Sequence, residues 1–204
     1  MLFTNIKAQT EHGAMPQLNI NISLNKNWKL NTKNEGRIVS QNNQPLLVRY
    51  DLALMATRKI GVYQSVGLGG SLLFTSNKLR YRISQQYTFV QSFSSIKLAH
   101  RLLTDQTFDN NTLSDARVRY RSTLEIPLSG ESVDNNEFYL KTNLEHLLVI
   151  TDELNYESRI SGFLGYNLTD KCKFEAGSDW RLNALTDKNN TNQLWFITAA
   201  FINF

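Results

Sequence analysis

Between Asp115 and Leu128 the sequence alternates with period two: Val118, Tyr120, Leu124 and Ile126 fall on one side of an extended chain, and Arg117, Arg119, Arg121 and Glu125 fall on the other. The pattern recurs along the chain. Leu18, Ile20, Ile22 and Leu24 oppose Asn19, Asn21, Ser23 and Asn25. Leu79, Tyr81, Ile83, Tyr87 and Phe89 oppose Arg80, Arg82, Ser84 and Gln86, and Phe174, Ala176, Trp180 and Leu182 oppose Lys173, Glu175, Asp179 and Arg181. This period belongs to strands, so the chain reads as all-β. Turn-like clusters cut it at Asn31–Pro45, Thr57–Gly61, Ser76–Lys78, Ser92–Ser95, Asp109–Asp115, Ser129–Asn136, Thr151–Glu153, Thr169–Lys171 and Thr186–Asn192, which leaves ten segments. Most run to about 12–15 residues, well beyond the ~5–6 of a soluble strand and suited to a tilted strand that crosses a bilayer and emerges from it. The expected fold is a transmembrane antiparallel up-and-down β-barrel of about ten strands with a polar, charged lumen. An even count places both ends on one side.

Composition agrees with a single folded unit. The 204 residues are 41% hydrophobic and 20% charged, with only three prolines and ten glycines, which excludes collagen-like and low-complexity chains. No run of 18 apolar residues offers a membrane helix. The net charge of +4 comes from basic residues spread along the chain, and no nucleic-acid partner is expected. Cys172 is alone and has no His or Cys at ligand spacing, so no metal or cofactor is expected. Residues 1–9 read as the remnant of an export signal, because Ile6-Lys7-Ala8-Gln9 before Thr10-Glu11 resembles a cleavage region. Residues 10–204 then form one barrel domain.

If the charged faces point inward, a network results. It contains Arg49, Asp51, Arg80, Arg82, Arg101, Asp105, Arg117, Arg119, Arg121, Glu125, Lys141, Glu145, Glu157, Arg159, Glu175, Asp179 and Arg181, with Lys97, Glu137 and Lys173 in addition. Twelve cations face eight anions. Burying them is tolerable where opposite charges pair, and planar guanidinium groups can bridge several carboxylates. Outward Trp28, Tyr50, Tyr81, Tyr87, Tyr120, Tyr156, Tyr166, Trp180 and Phe204 suit the membrane–water interfaces, mostly near strand ends. A three-residue turn around Asp152 places His146 opposite Ser158 on the lipid side, a nucleophile–base pairing of the kind a lipid hydrolase uses. The glycines of GLGGS lie within a strand and ease curvature.

The closing segment QLWFITAAFINF sets Leu194, Phe196, Thr198, Ala200, Ile202 and Phe204 on one face. An amphipathic last strand ending in Phe resembles the closing strand of bacterial outer-membrane barrels, and this resemblance implies Phe204 as the signal for the barrel assembly machinery. From Lys97 to Phe204 the chain resembles an uncharacterised bacterial outer-membrane barrel family, a domain of unknown function. The segments HRLLTDQTF, ARVRYRSTLE, EFYLKTNLEHLLV and ESRISGFLGYNLTDKCKFEAG carry it. Its most specific parts are His100-Arg101, Arg119 with Arg121, Asn143 with Glu145, Arg159 and Gly165-Tyr166. Leu103 and Thr107 stand where further basic residues are expected, and Leu144 separates an Asn–Glu pair that is usually adjacent. The resemblance implies the bacterial outer membrane as location, its lipid as surroundings, and no established reaction. The expected role is structural, accessory or binding of a membrane or periplasmic protein, with a small anion-favouring channel and a Ser/His lipid hydrolase as the alternatives.

Overall fold

A computed structural model describes residues 10–42, 44–76, 78–93, 95–151, 153–182 and 192–204; the export-signal reading of residues 1–9 and most of the turn cluster at 186–192 lie outside them. The strands in chain order are β1 (Thr10–Ser23), β2 (Trp28–Gln41), β3 (Gln44–Lys59), β4 (Gln64–Thr75), β5 (Lys78–Phe93) and β6 (Ile96–Asp109). They continue with β7 (Thr112–Pro127), β8 (Glu137–Ile150), β9 (Leu154–Thr169), β10 (Cys172–Leu182) and β11 (Asn192–Asn203). Each pairs with its sequence neighbours, and β1 closes onto β11 to complete a barrel.

The count is eleven, where the alternation pattern led to ten. The extra strand is β2, most of which falls in the stretch Asn31–Pro45 that reads as a turn. Its turn partner is shorter and earlier: Leu24 N donates to Trp28 O at 3.0 Å, and Asn25 Oδ1 accepts from the amides of Asn27 and Trp28, each at 2.9 Å. Strand β2 escapes the pattern because Thr32, Asn34 and Gly36 occupy the face where its neighbours carry aliphatic residues. Asn34 is tolerated there because Tyr50 Oη donates to its side-chain carbonyl at 2.8 Å.

An odd number of up-and-down strands forces one parallel pair. It lies between β1 and β11, in register from Thr10↔Asn192 to Asn21↔Asn203. The even-count inference that both ends meet on one side is therefore corrected: Thr10 and Asn203 lie at opposite rims. The seam continues past β11, with Ser23 N donating to Phe204 O and Phe204 N to Asn21 O, both at 2.8 Å.

The two faces of the strands divide by parity. Leu52, Leu54, Leu68, Leu72, Leu102, Leu144, Ile160, Leu164, Phe174, Trp180 and Phe196 are exposed on the outside. Inside, the charged side chains are joined by buried Leu73, Leu103, Tyr139 and Leu147, and by a cluster of Met15, Trp195 and Ile197 packed with Val39 and Phe163. That apolar interior patch lies beside the β1–β11 seam.

One glycine is dictated by packing. Gly165 stands directly across from Tyr139, and a Cβ at this position would overlap the tyrosine ring, whose hydroxyl donates to Glu175 Oε1 at 2.8 Å. We expect Gly165→Val to destabilise the folded barrel by about 1–3 kcal/mol through overpacking. Gly162→Ala, where an added Cβ meets nothing within 4 Å, should change stability by less than about 0.5 kcal/mol. Thermal unfolding in detergent, followed by tryptophan fluorescence, compares them; equal losses would remove the packing explanation.

Candidate functional site

The lumen holds a cavity of about 1000 Å³. Of the residues read from the sequence as a charge network, Arg49, Asp51, Arg82, Arg101, Asp105, Arg117, Arg119 and Arg121 line it. So do Lys141, Glu145, Glu157, Arg159, Lys173, Glu175, Asp179 and Arg181. Arg80 and Glu125 stand nearer the rims, each two residues from the end of its strand. Arg80 Nε is buried there without a hydrogen-bond partner, and Lys97 approaches Glu125 at 3.9 Å. Strand β2 adds Lys33, Glu35 and Arg37 to the lining. Their spacing of two residues is the signal that identifies them once β2 is recognised as a strand.

Two carboxylates organise the wall from β5 to β9. Asp105 on β6 is fully buried. Arg119 grips it in a fork, Nε to Oδ2 at 2.9 Å and Nη2 to Oδ1 at 2.8 Å, while Arg117 Nη2 reaches Oδ1 at 3.0 Å and Arg82 Nε lies 3.3 Å from the same oxygen. Paired forks of this kind are the strongest ionic hydrogen bonds that side chains make. Thr107, at the position where the family resemblance led to a base, accepts from Arg82 Nε at 2.9 Å and donates to Asp115 at 3.0 Å. Leu103, the other such position, is buried between these groups without charge.

Glu145 on β8 is the second centre. Arg121 Nε donates to its Oε2 at 2.6 Å, whereas Arg101 Nη2 and Arg159 Nη1 reach it at 3.4 Å each. Asn143, two residues earlier, accepts from Thr123 Oγ1 at 2.7 Å and donates to Ser161 Oγ at 2.9 Å.

Several other ion pairs are simpler. Arg49 is bidentate on Asp51 at 2.6 and 2.7 Å, Arg181 Nε donates to Asp179 at 2.6 Å, and Arg159 Nη2 to Glu157 at 2.8 Å. Each joins residues two apart on one strand. Lys141 donates to both oxygens of Glu175, at 2.7 and 2.6 Å. The cavity is thus lined by twelve cationic and seven anionic side chains.

On the outer face the register does pair His146 with Ser158. The hydrogen bond found on the His146 ring among the described residues, however, joins Nδ1 to the Tyr156 hydroxyl, with the two rings stacked at 5.9 Å. His100 repeats this arrangement: its Nδ1 lies 2.7 Å from Tyr120 Oη, between the rings of Phe89 and Tyr120. Phe204 is exposed, its backbone tied to β1.

Because Arg119 supplies the fork on Asp105, Arg119→Ala should cost about 3–5 kcal/mol, the penalty for stripping a buried carboxylate of its main partner. Arg119→Lys, which keeps the charge but not the fork, should recover part of that loss. Unfolding in detergent measures both, and an unchanged stability in Arg119→Ala would require a hydrated, weakly coupled interior.

No curated protein matches the chain. A family model described as "Protein of unknown function (DUF2490)" matches residues 13–195, from β1 into β11. With every strand of the barrel entered by that match, the chain belongs to this family of unknown function.

Proposed function

We propose that the chain is an integral β-barrel protein of a bacterial outer membrane whose charge-filled lumen serves a structural, accessory or partner-binding role. The observation that carries this reading is the inversion of its faces, with aliphatic and aromatic side chains exposed on the outside and arginine–carboxylate clusters buried within. An apolar outer wall this continuous exceeds the patches that monomeric proteins leave in water. Strands of 11–16 residues are long enough to cross the hydrocarbon layer at a barrel's tilt. In this reading outer-membrane lipid surrounds the barrel, the barrel assembly machinery engages β11 and Phe204 during insertion, and a membrane or periplasmic protein binds a rim.

Fractionation of native cells tests the location: the protein should require detergent for extraction from the outer-membrane fraction, and a folded protein that stays soluble without detergent would overturn the reading. Phe204→Asp should impair insertion far more than Asn203→Asp, because the Phe204 side chain points out of the barrel. Equal insertion would remove Phe204 as the signal.

A second reading, a small anion-favouring channel, draws support from the cavity and its excess of cations. Open porins use roughly 16–18 strands, so any current through eleven should be small. Planar-bilayer recordings under asymmetric salt check this: small anion-selective currents favour the channel, and large cation-selective ones exclude it. The Ser/His hydrolase reading rests on the His146–Ser158 register alone, with the His146 ring engaged by Tyr156.

A further inference from the structure

The six arginines around Asp105 and Glu145 are not equally committed. Arg82, Arg117, Arg119 and Arg159 keep 11–17% of their side chains accessible, against 29% for Arg101 and 33% for Arg121. Arg101 and Arg121 reach no carboxylate but Glu145. Each gives one hydrogen bond, both to the same oxygen of Glu145. Their other N–H donors have no acceptor among the described residues.

Register sharpens the imbalance. Arg101 stands directly across from Arg121, Arg121 from Glu145, Glu145 from Arg159, and Arg159 from Arg181. One cross-strand row over five strands therefore carries four arginines and a single carboxylate. Arg159 and Arg181 have carboxylates of their own on their own strands, Glu157 and Asp179. Arg101 and Arg121 have none. Like charges directly opposite one another destabilise a sheet, and a chain selected only for a plugged lumen would be expected to place an acid or an amide at one of the two positions.

We propose that Arg101 and Arg121 form a binding site for an oxyanion of the phosphate or carboxylate class inside the lumen. Guanidinium groups directly across from each other on neighbouring strands offer paired N–H donors of the kind that match the oxygens of such an anion. Glu145 takes one hydrogen bond from each, and both side chains line the cavity. A bound anion would balance the positive charge that Glu145 alone leaves on the pair and reduce the cross-strand repulsion. The cavity of about 1000 Å³ accommodates a small phosphorylated or polycarboxylate solute. A lipid phosphate reaching in from a rim offers the same chemistry. This site rests on the charge-lined lumen described above and does not depend on where in the cell the barrel resides.

Calorimetric titration of pyrophosphate into the refolded full-length protein, in a zwitterionic detergent at fixed ionic strength, tests it. The wild-type protein should bind one equivalent, and Arg101→Gln and Arg121→Gln should each weaken binding by about tenfold or more, since each removes charged hydrogen bonds. Lys97→Gln, at the rim, should bind within about twofold of wild type. Pyrophosphate should also raise the unfolding temperature of the wild-type protein above that in sodium chloride of equal ionic strength, a readout that needs no variant. Failure of the folded wild-type protein to bind, or undiminished binding in both arginine variants, overturns the site and leaves the membrane reading, tested by fractionation, untouched. Phosphatidylglycerol added to the micelles separates the two sources: displacement of pyrophosphate supports the site with a lipid headgroup as its occupant, and no displacement supports it with a free solute.

Discussion

Asp105 and Glu145 are where the barrel is held from the inside. Asp105, on β6, ties itself to Arg82 of β5 and to Arg117 and Arg119 of β7; Glu145, on β8, draws in Arg101 of β6, Arg121 of β7 and Arg159 of β9. Two carboxylates thus join five consecutive strands through groups the backbone ladder does not touch. Burial of so much charge is unfavourable unless geometry and hydrogen bonding compensate, and the arginine fork supplies both. On the opposite side the interior changes character. Met15, Trp195 and Ile197 pack together, and Arg37 and Arg181 lie over the Trp195 ring at 5.9 and 5.7 Å. Strands that must meet across the closing seam therefore do so over an apolar contact, which tolerates small errors of register better than a salt bridge does.

How much of this was legible in the sequence depended on what each residue faces. Strands such as β7 and β10, with aliphatic residues against charges, are evident from period two alone. Strand β2 is not, because its outward positions include Thr32, Asn34 and Gly36, and the partner that satisfies Asn34 is Tyr50 of the next strand. Pairs two apart on one strand, such as Arg49–Asp51 and Asp179–Arg181, can be read directly, since equal parity puts both on one face. The clusters on Asp105 and Glu145 cannot. They require the register between strands, which no single segment encodes. The inward hydrophobic residues were hidden for a related reason: Leu147 follows His146 and precedes Leu148, so both faces of β8 are apolar there and period two loses contrast.

The outer face shows how polar atoms are managed in an apolar wall. Tyr87 and Tyr120 lie well inside their strands, away from the ends where interfacial aromatic residues are expected. For Tyr120 the reason is its hydrogen bond with His100, and the His146–Tyr156 pair is built alike. Each pair satisfies a hydroxyl and an imidazole nitrogen with one bond, leaving stacked ring faces toward the surroundings. A histidine facing outward thereby shares one of its two ring nitrogens with a neighbouring hydroxyl.

The parallel closure of β1 on β11 gives the barrel a polarity that even-stranded barrels lack. In an even barrel the first and last strands run in opposite directions, and a short linker could join the chain ends into a ring. Here Thr10 and Asn203 stand at opposite rims, so the start of β1 and the end of β11 are separated by the height of the wall. The parity of the strand count thus sets the start of β1 and the end of β11 apart, where an even count would make them neighbours.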